Sequence, residues 1–123
     1  MLKVVRLNTS SDGIFEITSM KINVTAIQIE TLIWEKIIQL LIHGGWTVVY
    51  EYDNYDKGID SDLIILKKNN EKILLGWDNW FEGEIYCFNE VLGFIEEKMK
   101  LSFTRGESNG ILRQEIINQY EKY

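Results

Sequence analysis

Residues 62–77, DLIILKKNNEKILLGW, decide the fold. Two short apolar runs, Asp62–Lys67 and Lys72–Trp77, are bounded by turn-forming residues, and Asn69-Asn70 between them marks a tight antiparallel hairpin. Working outward, Trp46–Tyr52 reads as a strand on the N-terminal side and Glu84–Phe88 as a short one on the C-terminal side. Strict alternation in the first of these places Trp46, Val48, Tyr50 and Tyr52 on one face and Thr47, Val49, Glu51 and Asp53 on the other.

Before this sheet lies the clearest helical pattern. Thr25 and Gln28 have capping-box spacing, and Ile29, Leu32, Ile33, Ile37, Leu40 and Leu41 recur at helical intervals until Gly44-Gly45. With Trp34 and Ile38 the apolar face is wide enough to pack on a sheet, leaving Glu30, Glu35, Lys36 and Gln39 to solvent. Two further strands, Lys3–Leu7 and Ile14–Thr18, are expected around a polar turn through Ser10, Ser11, Asp12 and Gly13. After the sheet, a helix from Glu90 to Lys100 with Asn89 as cap turns Val91, Leu92, Ile95 and Met99 inward. Gly106–Gly110 reads as a loop, and Ile111–Tyr120 as a modest amphipathic helix. The expectation is an α+β fold: a mostly antiparallel sheet of about four to six strands against a long helix, with C-terminal helices.

The 123 residues suit one domain spanning 1–123, with 46% hydrophobic and 26% charged residues, an ordinary globular composition. Proline is absent, and neither a linker nor an internal repeat is recognisable. One cysteine, Cys87, excludes an intrachain disulfide framework and a thiolate metal site. The opening residues lack the apolar run of a signal peptide, and no stretch reaches membrane-span length, so a cytoplasmic protein is expected. Thirteen basic against nineteen acidic residues give a net charge of -6, which disfavours nucleic acid and anionic lipid as partners.

That acidity is concentrated. Residues 51–62 carry Glu51, Asp53, Asp56, Asp60 and Asp62 against Lys57, and residues 78–90 carry Asp78, Glu82, Glu84 and Glu90 with no base. In a meander both segments follow strands running the same way, so they fall at one end of the sheet. The second opens with Gly76-Trp77-Asp78-Asn79-Trp80-Phe81-Glu82-Gly83-Glu84-Ile85, a mixture of aromatics, carboxylates and glycines that a core does not call for. Aromatic bodies give contact area at small entropic cost and carboxylates are costly to bury, so the pattern suits a surface that meets a partner. The bland alternative is that these acids are solvated turn residues.

Catalytic and metal chemistry find little support. Aligning Gly58 with the invariant glycine of a calcium loop puts Tyr55 and Lys57 at ligand positions and Ile64 where the bidentate glutamate belongs. The order of helix and strands resembles the restriction-endonuclease-like core, with Glu30 or Glu35 and Asp62 as metal ligands, yet no Glu-x-Lys supplies the water-activating cation. His43 precedes the helix stop as a dipole-favoured end residue, and Cys87 reads as a small buried hydrophobe, so no nucleophile–base arrangement is available. Trp77, ending a strand, is expected in the core, whereas at least one of the adjacent Trp80 and Phe81 should be exposed.

A small acidic α+β chain with this Gly-Trp-Asp-Asn-Trp-Phe-Glu-Gly-Glu-Ile stretch resembles the immunity proteins of bacterial polymorphic toxin systems, the similarity running from Trp46 to about Met99. The resemblance implies a non-catalytic cytoplasmic protein that neutralises a cognate protein toxin, often a nuclease, by occluding its active site or groove. It implies no cofactor, no bound metal, no nucleic-acid partner and no membrane. The expected contact surface is Asp53, Asp56, Asp60, Asp78, Trp80, Phe81, Glu82 and Glu84, with carboxylates mimicking phosphates and aromatics as anchors. Three alternatives stand beside it: a metal-dependent hydrolase of nuclease type, a carbohydrate- or protein-interaction module, and a purely structural subunit. The oligomeric state is not legible.

Overall fold

The structure, a computed structural model, describes residues 2–9 and 13–123, with side chains from Lys21 onward. Strands β1 (Leu2–Thr9) and β2 (Gly13–Met20) pair antiparallel as a two-stranded sheet. They are longer than the sequence pattern indicates, and the turn expected at Ser10–Asp12 lies outside the described residues.

The remaining elements run β3 (Asn23–Ile29), α1 (Thr31–His43), β4 (Thr47–Glu51), β5 (Ser61–Lys68), β6 (Glu71–Asp78), β7 (Glu82–Phe88), α2 (Asn89–Met99), β8 (Thr104–Arg105) and α3 (Gln114–Gln119). Six strands form one antiparallel sheet in the order β4-β5-β6-β7-β3-β8. The hairpin at Asn69-Asn70 is present, with Asn69 in the left-handed region at φ 56°. The fold is therefore α+β around an antiparallel sheet.

Two elements differ from the sequence reading. Thr25 and Gln28 do not cap a helix; they belong to β3, which pairs with β7 from Asn23↔Phe88 to Ile29↔Gly83. Gln28, at φ 56°, marks the irregularity between Ala26 and Ile29, and α1 begins only at Thr31. Burial of Ala26 and Ile29 in the sheet outweighs the local capping signal. The second difference is in β4, where the pairing steps from Val48↔Leu66 to Tyr50↔Ile65. This bulge inserts one residue and reverses the alternation, so Trp46 packs on one face of the sheet and Tyr50 and Tyr52 on the other.

The sheet has a core on each face. On one side Trp34, Ile37, Ile38 and Leu41 of α1 and Leu92 and Ile95 of α2 join Ala26, Ile64, Leu66, Ile73, Leu75, Ile85 and Cys87. Glu30, Glu35, Lys36 and Gln39 are exposed on the outer side of α1, but Leu32 is also outside, at 63% exposure. On the other side Leu63, Ile65 and Leu74 meet Leu112 and Ile117, with Tyr50, Tyr52, Tyr86 and Tyr120 around them. The C-terminal segment thus forms a cover over the second face, although its helix is shorter than the pattern from Ile111 indicates.

The short edge strand β8, absent from the sequence reading, is held to α2 by charge. Arg105 donates from Nη1 and Nη2 to the two carboxylate oxygens of Glu96 at 2.6 and 2.8 Å, and the Phe103 N–H donates at 2.8 Å. The guanidinium, helped by that N–H, holds the Glu96 carboxyl at about 2 although its partial burial acts the other way. A depressed carboxylate pKa contributes stability that is complete above the unfolded value of 4.5 and disappears as pH falls through about 2. Glu96→Gln is expected to flatten the acid limb of a thermal-stability profile between those values, by less than about 1 kcal/mol because the pair is partly solvated. An unchanged acid limb in that variant would refute the role assigned to this pair.

Candidate functional site

The aromatic–acidic stretch folds as the β6–β7 hairpin, and its residues divide by face. Gly76 and Gly83 are the places where neighbouring layers touch the sheet. A Cβ on Gly83 would stand 2.5–2.8 Å from Cδ1, Cγ and Cβ of Trp34, and one on Gly76 would stand 2.9–3.0 Å from Leu112 and Ile111. Each glycine admits a large side chain from the adjoining layer. Trp34 is fixed there by its Nε1–H, which donates to the Glu84 carbonyl at 3.2 Å. Trp77, half-buried against the helical side, donates from Nε1 to Thr31 Oγ1 at 2.9 Å.

Two of the acids point inward. Glu84 is 1% exposed, and its Oε1 accepts from Ser108 Oγ at 2.6 Å and from the Leu112 N–H at 3.0 Å. Asp78 is 5% exposed, and its Oδ1 accepts from the N–H groups of Trp80 and Phe81 at 2.8 and 2.6 Å. Both carboxylates close on Gly110, where a Cβ would collide with Asp78 Oδ2 and come within 3.4 Å of both Glu84 oxygens. Asp78 and Glu84 therefore leave the expected contact surface: their oxygens organise the hairpin turn and anchor the C-terminal cover. A core does use this mixture of residues, because backbone N–H groups need acceptors wherever loops cross a sheet.

By capping the turn, Asp78 turns the aromatic pair outward. Trp80 is 70% exposed and Phe81 45%, at the tip of the hairpin. Glu82, exposed and at φ 60°, accepts a 3.3 Å bond from Thr31 Oγ1, which places the start of α1 and the exposed Leu32 beside the tip. On the other flank the Asn79 N–H donates to the Asp60 carbonyl at 3.0 Å, joining the tip to the loop between β4 and β5. That loop exposes Tyr55 and Ile59. The two acidic segments do meet at one end of the sheet, and five large apolar side chains stand out there: Leu32, Tyr55, Ile59, Trp80 and Phe81.

The loop's own bonds consume part of its charge. Asp56 accepts from the Tyr52 hydroxyl, and Asp62 accepts from Lys57 Nζ at 2.7 Å and from the Leu63 N–H at 2.9 Å. Lys57 also lies 3.2 Å from Glu51. Ile59 N–H and Asp60 N–H both donate to the Asp56 carbonyl, so the turn is closed by its backbone. Asp53 and Glu82 are exposed, and Asp56 and Asp60 are half-buried. Among the described residues no group of three or more His, Cys, Asp or Glu side chains converges as for a metal ion. His43 is exposed at the end of α1, and Cys87 is buried, which pushes its thiol up to about 12 and leaves it protonated.

Sequence reasoning missed the partners of Asp78 and Glu84. Asp78 followed two residues later by the aromatic pair is a turn-capping spacing, and that signal was available. Ser108, Gly110 and Leu112, in contrast, come from a distant segment with no local mark. In comparison with known proteins, no family model, no curated protein and no solved structure matches this chain. Among the described residues no helix is long and apolar enough to cross a membrane.

Proposed function

We propose that this protein is a non-catalytic, cytoplasmic binder of immunity type that neutralises a cognate protein toxin through the end of its sheet. The observation that carries the reading is the exposed Trp80–Phe81 tip, held out by the Asp78 carboxylate and flanked by Ile59, Tyr55 and Leu32. Rigid aromatics in a fixed turn lose little entropy on binding and supply the area from which interface hot spots are made. Asp53, Asp60 and Glu82 form an acidic rim that suits a basic partner face such as that of a nuclease. With Asp78 and Glu84 inside, binding on this reading is led by apolar contact and only steered by charge.

The test pairs the chain with the toxin domain encoded beside it. Wild type is expected to bind and to protect cells that express that domain. Trp80→Ala with Phe81→Ala should retain the parent melting temperature yet weaken binding by about 30-fold or more, the loss of one strong hot spot. Undiminished affinity and protection in this variant would reject the surface.

A further inference from the structure

The loop that anchors the C-terminal cover contains an Asn-Gly pair, Asn109-Gly110, and no other asparagine in the chain is followed by glycine. In such a pair the backbone nitrogen of the glycine sits one ring closure from the carboxamide carbon of the asparagine, and no side chain shields it. Asn109 is exposed, and among the described residues no hydrogen bond holds its carboxamide or its backbone. The carboxamide is therefore free to rotate onto the Gly110 nitrogen.

The fold requires the glycine. Gly110 is buried, and the packing that seats the cover leaves a Cβ no space against Asp78 Oδ2, with both Glu84 oxygens at 3.4 Å. A larger residue, which would hinder attack on the neighbouring carboxamide, is thus excluded. The Gly110 nitrogen is also set against a proton acceptor. Its N–H donates to Ser108 Oγ at 3.0 Å, and the Ser108 hydroxyl donates in turn to Glu84 Oε1 at 2.6 Å. Glu84 is 1% exposed, and a carboxylate out of water holds its donor more strongly than one in water. An amide nitrogen becomes nucleophilic as it loses its proton, and a positioned acceptor is what general-base chemistry requires.

We propose that Asn109-Gly110 is a site of spontaneous intramolecular deamidation, assisted by Ser108 and Glu84. As the Gly110 nitrogen attacks Asn109 Cγ, its proton passes to Ser108 Oγ while the Ser108 proton passes to Glu84 Oε1. The new N–C bond closes a succinimide. The Cγ–Nδ2 bond breaks, and ammonia leaves with the proton that Glu84 returns through Ser108. Water then opens the ring at either carbonyl, giving an aspartyl or an isoaspartyl residue at position 109. The isoaspartyl product carries one extra carbon in the main chain before Gly110, where Asp78 and Glu84 leave no room for a shift. The Gly110–Ser108 and Ser108–Glu84 bonds are lost with it, and the segment from Leu112 onward loses its anchor. The reaction is an irreversible loosening of the cover on the sheet.

Peptide mass spectrometry of the full folded chain, incubated at neutral pH, tests the proposal, with isoaspartyl content read by enzymatic methyl transfer. Conversion is expected at Asn109 and not at Asn54 or Asn79, which are also exposed in turns. Ser108→Ala and Glu84→Gln should each slow it by about tenfold, less than a fully aligned general base supplies. A merely structural contact would act the other way, since a loosened loop lets carboxamide and nitrogen meet more often. In denaturant, where the relay is undone, parent and variants should convert alike. In the converted fraction amide exchange from Leu112 to Ile117 should quicken, and it should stay slow after the same incubation of Asn109→Gln. No conversion in the folded parent, equal or faster conversion in either variant, or unchanged exchange in the converted fraction would each overturn the proposal.

Discussion

Gly83→Val is expected to destabilise the fold by about 3 kcal/mol, the upper part of the range for overpacking a filled core, and to lower the melting temperature by about 10 °C. Three atoms of Trp34 stand 2.5–2.8 Å from where any Cβ would project. The indole has little freedom to retreat, since Trp34 is 4% exposed and its Nε1 is engaged by the Glu84 carbonyl. The strand must bend or the helix must lift. Both routes loosen the contact through which α1 is seated on β7. Replacing Trp34 by leucine in the same chain should make Gly83→Val markedly cheaper than it is alone, and the coupling is measurable in a double-mutant cycle. Additive effects at these two positions would show that the glycine is not there for the indole.

The second large effect belongs to Glu84. Glu84→Ala removes the acceptor of the Leu112 N–H in a region where Leu112 is 1% exposed, leaving a buried donor without a partner. That loss, with the Ser108 bond and the space vacated, should cost about 3 kcal/mol. Glu84→Gln keeps a carbonyl acceptor and should cost less than the alanine variant. The readout that distinguishes an anchor from a generic core residue is local: amide exchange should quicken from Leu112 to Ile117 well before it does in β5 and β6. Uniform loss of protection across the sheet, or none at all in the C-terminal segment, would refute the anchoring role.

The parts of the fold legible in the sequence were those fixed by near neighbours. β5 and β6 follow from two apolar runs around Asn69-Asn70, and α2 follows from Leu92 and Ile95 one turn apart. What escaped was settled by contacts between distant segments. Thr25 and Gln28 carry a valid local helix signal, but β7 recruits their segment as a strand. The bulge in β4 leaves no mark in TVVYE, a run that alternates acceptably in either register, and yet it moves Tyr50 to the face opposite Trp46. The same holds at the site. The convergence of the two acidic segments and the exposure of Trp80 follow from strand order and turn chemistry. The burial of Asp78 and Glu84 depends on Ser108, Gly110 and Leu112 arriving from the C-terminal segment.

The position of β3 carries a consequence for how the chain assembles. β4 through β7 are neighbours both in sequence and in space, so their ladders close short loops. β3 precedes all of them and yet lies beyond β7, with Asn23 matched to Phe88 across about half of the chain. Closing so long a loop is entropically expensive until the meander supplies a template, so the rate-limiting ordering of this polypeptide should be the late insertion of its early strand. Until then the edge of β7 is open, and the nascent molecule exposes it to any extended segment that reaches it first.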